Sequence, residues 1–166
     1  MVSNPDADHV GGFLDVFDAF EVGVVYVSGD PKGTLSYNAF LRGVREERSR
    51  VQVVRTGYWM DWGGVRAEVI APPQGELFSE TNDNSVAILL SYGTARMLLA
   101  GDAEAREEEY MAGGPYTGPL TVLKVSHHGS NTSSTPLFLS RFPPEIAVPL
   151  LTPCTNAPTL TVSAVK

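Results

Sequence analysis

The imidazole chemistry open to this 166-residue chain rests on three histidines, His9, His127 and His128. They fall in two short polar runs beside apolar segments. In the first, Asn4-Pro5-Asp6-Ala7-Asp8-His9, Pro5 disfavours helix and an extended backbone of period two points Asp6 and Asp8 the same way, with His9 at the turn before Gly11-Gly12. Two carboxylates and an imidazole could then converge on a cation. The same residues also read as an acidic cap on a helix starting near Gly11, with Asp8 as its N-cap.

The other histidines lie in Leu123-Lys124-Val125-Ser126-His127-His128-Gly129-Ser130-Asn131-Thr132-Ser133-Ser134, where an apolar strand runs into a loop of small hydroxyl and amide residues. Adjacent imidazoles can bind a metal and protonate a leaving group, and exposed amides and hydroxyls can hold phosphate oxygens. Between the two runs, Leu98-Leu99-Ala100-Gly101-Asp102-Ala103-Glu104 ends a strand in a carboxylate just before a helix. Such an Asp can bridge metals or cap the helix, and Glu104 in the first helical turn also suits the macrodipole.

The elements that must position these residues read as α/β. Phe13, Leu14, Phe17 and Phe20 are at helical spacing within 11–21, and the β-branched run 22–27 reads as a buried strand. A second helix is expected over 34–49 with Thr34 as cap, then a strand over 51–54. From Tyr58 to Asp102 the pattern becomes a β meander with strands at 65–70, 85–91 and 96–100. A helix over 103–112, a strand over 120–125, a helix over 135–141 and a strand over 146–151 follow.

With their order, the three motifs resemble those of a known family. The run from Asn4 to Gly12 is similar to the metallo-β-lactamase motif His-x-[His/Asp]-x-Asp-His followed by Gly-Gly. The Gly101-Asp102-Ala103-Glu104 and Lys124-to-Ser134 runs narrow the likeness to the hydrolase domain of ComEC-type DNA-internalisation competence proteins. The resemblance implies a metallo-β-lactamase αββα sandwich, incomplete because the N-terminal strands are missing, over residues 1–150, with an irregular tail over 151–166. It implies two divalent metals, zinc or manganese, and hydrolysis of DNA or another phosphodiester in DNA uptake.

Carried over by the same likeness, Asp6 serves the first metal, Asp8 and His9 the second, and Asp102 bridges them. One of His127 and His128 binds metal while the other contacts the scissile phosphate or its leaving oxygen. Asp8 also orients the attacking water, and Ser130, Thr132 and Ser133 are expected to bind substrate. The family's opening His is replaced by Asn4, a poorer ligand that weakens the first metal position. That replacement and the two missing ends motivate an alternative, a non-catalytic remnant with one or no bound metal. Missing strands would leave an edge open to self-association, with Val86, Ile88, Leu90, Met97 and Leu99 near it.

Composition narrows the partners. Nineteen acidic residues against twelve Lys and Arg give a net charge of −7, so no global positive field attracts DNA and any anionic substrate needs local cations. One cysteine, Cys154, excludes an internal disulfide framework. No apolar run reaches the roughly eighteen residues of a membrane span, although the resembled family is membrane-attached; localisation stays undetermined.

Overall fold

In the structure, a computed structural model, residues 1–149 are described. The expected irregular tail and the final residues of the last expected strand lie outside them.

The chain opens with α1 (Ala7–Val10) and α2 (Phe13–Ala19), then β1 (Val24–Val27), α3 (Leu35–Glu46) and β2 (Arg50–Val53). A single helix was expected over 11–21. Instead, helix begins at Ala7, with Asp6 in extended conformation as N-cap, and is divided at Gly11-Gly12. Pro5 lies outside this first turn and so does not oppose it. The Thr34 hydroxyl accepts from the Tyr37 amide at 3.3 Å and starts α3. Tyr37, Phe40 and Val44, at i, i+3 and i+7, turn one face of that helix onto Val25 and Val27 of β1.

The remaining strands form one mixed sheet in chain order: β3 (Trp59–Trp62), β4 (Val65–Ala71), β5 (Ala87–Tyr92), β6 (Ala95–Leu99), β7 (Leu120–Lys124) and β8 (Pro144–Val148). Pairs from β3 to β6 are antiparallel, as the meander reading requires, and β6, β7 and β8 are parallel. The parallel steps need crossovers, supplied by α4 (Ala105–Gly113) and α5 (Pro136–Arg141). β3 was not anticipated as a separate strand. Its signal was Gly63-Gly64, both at positive φ, in a two-residue hairpin pairing Trp62 with Val65.

Three apolar clusters define four layers. One joins α1 and α3 to β1; a second lies between the sheets, with Val54, Ala67, Val69, Val86 and Ile88; the third packs α4 and α5 under the six-stranded sheet through Met111, Phe138 and Phe142. The order is therefore helices, β1–β2, six-stranded sheet, helices, an αββα arrangement. Val86 and Ile88, expected near an open edge, are buried between the sheets, whereas Met97 is exposed. Residues 1–3 run between the sheets: the Val2 amide donates to the Tyr26 carbonyl at 2.9 Å and the Val86 amide to the Ser3 carbonyl at 2.7 Å. This stitching sets the first motif at the end of β6. No helix among the described residues is long and apolar enough to cross a membrane.

Candidate metal centre

Because helix begins at Ala7, Asp8 and His9 ride on its first turn while Asp6 stays behind as the extended cap. The period-two geometry expected for this run is thereby overturned, and Asp6 and Asp8 part company. Asp102 is aimed by Gly101, which ends β6 at φ +60, a left-handed conformation that favours glycine. The Asp102 amide then donates to the Ser85 hydroxyl at 3.0 Å. After β7, a short 3-10 turn at Ser126–Gly129 holds both histidines at positive φ, 43° for His127 and 54° for His128. Such backbone is strained for residues with a Cβ, by about 1–2 kcal/mol each, and it sends the two rings to different neighbours.

Four side chains converge. His9 Nε2 lies 2.8 Å from Asp102 Oδ2 and 3.5 Å from Asp8 Oδ2. His128 Nε2 lies 3.2 Å from Asp8 Oδ2 and 3.4 Å from Asp102 Oδ2. A tetrahedral cation with bonds of about 2.0–2.1 Å holds its ligands about 3.3–3.4 Å apart. Three of the separations, 3.2 to 3.5 Å, are close to that spacing, the 2.8 Å between His9 and Asp102 is a hydrogen-bond distance that a cation would widen, and all four ligand atoms fall within 4.8 Å of one another. Two imidazoles and two carboxylates are a donor set suited to zinc or manganese. The residues present therefore fit a divalent cation.

Neighbouring groups complete this centre. Ser3 Oγ lies 2.7 Å from His9 Nδ1, and by accepting a hydrogen bond from that nitrogen it would free Nε2 for a cation in place of its contact with Asp102. Asp102 Oδ1 is buried without a hydrogen bond, with the Lys124 ammonium 3.5 Å away. Burial alone would raise the Asp102 carboxyl, but its hydrogen bond from His9 and the charges of His9, Lys124 and His128 outweigh burial and hold it below the ordinary carboxylate value. Burial lowers the Lys124 ammonium against the opposing pull of Asp102 and Asp8. Lys124 also donates to the Gly101 carbonyl at 2.8 Å. A cleft of about 320 Å³ opens beside the cluster, lined by Asp8, His9, Lys124 and His128 and floored by Val86, Ile88 and Leu99.

The other residues expected at the site go elsewhere. Asp6 forms an ion pair with Lys32. Asn4 is buried, and its Oδ1 accepts from the Asp6 amide at 2.9 Å. His127 points its Nδ1 at Glu104, 2.9 Å from Oε1. Beside the turn Ser130 is half-buried and Thr132 exposed, their hydroxyls 2.9 Å apart. Ser133, expected to bind substrate, is buried instead, and its hydroxyl donates to the Ser126 and Ser130 carbonyls, each at 3.0 Å. That serine ties the loop shut. Sequence reasoning assigned no role to Ser3, Lys32 or Lys124. Lys124 carried a readable signal, a lysine ending an apolar strand two residues before Ser126-His127-His128, while Ser3 and Lys32 carried none.

The layers and the cluster define a class, and comparison of the chain with known proteins agrees. The model of the metallo-beta-lactamase superfamily matches residues 1–149, and the chain belongs to that superfamily. More particularly, it is similar to Recombination protein 2 of Haemophilus influenzae, at 30% identity over 149 residues, and to Competence protein ComA of Neisseria gonorrhoeae, at 33% over 150. ComE operon protein 3 of Bacillus subtilis is 25% identical over 151 residues. Each alignment covers 89% of this chain but only 17% to 19% of the relative. The chain thus spans less than a fifth of the length of these relatives.

Proposed function

We propose that the chain is a metal-dependent phosphodiesterase acting on DNA during its uptake. The observation that carries this reading is the convergence of Asp8, His9, Asp102 and His128 at cation-ligand spacing in an open cleft. The names of the similar recombination and competence proteins point to DNA as the substrate. Asp8, His9, Asp102 and His128 would hold the cation. Once bound, it lowers the pKa of water and neutralises charge on a phosphoryl oxygen.

The chain's own residues supply the rest. Lys124, fixed by the Gly101 carbonyl, presents a positive charge to a phosphate in the cleft, the local cation that a net charge of −7 makes necessary. Asp8, at the exposed side of the cluster, accepts a hydrogen bond from the attacking water and orients it. His127, oriented by Glu104, protonates the leaving oxygen, with Ser130 and Thr132 at the edge of the phosphate path.

The test is cleavage of bis(p-nitrophenyl) phosphate and of end-labelled single- and double-stranded DNA by the zinc- or manganese-loaded chain. Cleavage should stop on chelation. It should fall at least about 100-fold in Asp102→Asn and His128→Ala, the scale of losing a transition-state charge contact. A folded, metal-loaded chain that cleaves none of these would leave the non-catalytic reading standing.

A further inference from the structure

The region beside the centre differs chemically from the centre itself. Asp6 and Lys32 line a separate cavity of about 190 Å³ together with Glu80, Thr81, Asn82 and Glu104. The donors nearest the first motif are already engaged. Asp6 is paired with the Lys32 ammonium, and the His127 ring meets Glu104. The Asn4 oxygen accepts from the Asp6 amide, and its residue lines a small space with Val2, Val27, Ser28 and Tyr37.

Charge gives the same answer. Asp8 and Asp102 supply the two negative charges of the four-residue cluster, with the Lys124 ammonium 3.5 Å from Asp102, and Asp6 is already paired with the Lys32 ammonium. To use Asp6, a second dication would have to displace the Lys32 ammonium from that carboxylate, and Asn4 would offer it only a buried amide.

We infer that the Lys32 ammonium stands where a second cation would bind Asp6, so that the centre takes one divalent cation held by Asp8, His9, Asp102 and His128. Lys32 is thus a built-in positive charge in that neighbouring cavity, fixed by Asp6 and independent of metal supply. The inference rests on the metal-binding reading of the four-residue cluster, and the count of bound metal separates the two.

The experiment measures manganese and zinc stoichiometry on the full chain by elemental analysis after gel filtration, with electron paramagnetic resonance of the manganese form. The unaltered chain should retain one equivalent and show the spectrum of an isolated ion. Asn4→His should still hold one, because Lys32 keeps Asp6 occupied. Asn4→His with Lys32→Ala should rise to two equivalents with a spin-coupled spectrum. Two equivalents in the unaltered chain, or in Asn4→His alone, would overturn the role of Lys32 and leave metal binding intact. A folded double variant that stays at one equivalent would also overturn it. No bound metal in a folded, unaltered chain would overturn the metal-binding reading and this inference with it. The count on the unaltered chain decides even if the imidazole at position 4 prevents folding.

Discussion

Glu107 is fully buried on α4, with one oxygen accepting from the Ser85 amide at 3.1 Å and the other without a partner. Burial, reinforced by Asp83 and Glu108, pushes its carboxyl well above the ordinary value of 4.5. A folded state that holds this proton more tightly than the unfolded chain is favoured below pH 4.5 and loses that advantage as pH climbs toward the raised value. The loss approaches about 1.4 kcal/mol per pH unit where one proton is released. Glu107→Gln should flatten this slope, so that urea melts between pH 5 and 8 show the variant gaining on the parent as pH rises. Parallel slopes in the two proteins would rule out Glu107 as the source.

At the scale of elements, the centre depends on two junctions, each held by residues other than the ligands. The β6 junction needs Gly101: a Cβ there would lie 2.9 Å from Ser85 Cβ and 3.1 Å from Ser3 Cβ, on a backbone already at φ +60. Gly101→Ala should cost about 1–2 kcal/mol for handedness alone and more for the clash, and should weaken metal binding by displacing Asp102. Chemical denaturation with a metal titration would show both effects, and a variant with parental metal affinity would mean that Asp102 is placed by other contacts. The loop after β7 depends on Glu108 of α4, a buried carboxylate accepting from the Ser134 and Thr135 amides at 2.7 and 2.8 Å. Glu108→Ala strands two amide donors. Stability should drop by about 2–4 kcal/mol, with faster amide exchange across 126–135. Unchanged exchange there would show that Ser133 suffices to hold the loop.

For the molecule as a whole, the candidate centre joins two layers. Asp8 and His9 come from the helical layer on β1, whereas Asp102 and His128 come from the ends of β6 and β7 in the larger sheet. A cation bound there would cross-link the sandwich in the folded state only. At about 100 times its dissociation constant it adds about 2.7 kcal/mol, which for a chain of this size raises Tm by about 5–10 °C. Calorimetry with zinc and then with excess chelator should show this shift in a single transition. Equal melting temperatures would argue that the four side chains do not bind a cation between the layers.

The order of elements and the three motifs were legible in the sequence because they depend on local chemistry. Thr34 and Thr135 cap their helices through hydroxyls, and apolar runs mark β4 to β7. Asp8, His9, Asp102 and the histidine pair could be named because carboxylates and imidazoles beside glycine at element ends are unusual. Which of them meet was a tertiary matter. The extended reading of residues 4–9 failed because helix starts at Ala7, a choice supported by burial of Val10 against Phe40 and the layer beneath, not by local propensity. Likewise, two adjacent histidines carry no information about which ring faces the cleft. Their left-handed backbone, imposed by the closed loop, sends His128 to Asp8 and Asp102 and His127 to Glu104. Lys32 lies 26 residues from Asp6 in sequence, and only the packing of α3 and β1 brings that ammonium to the carboxylate.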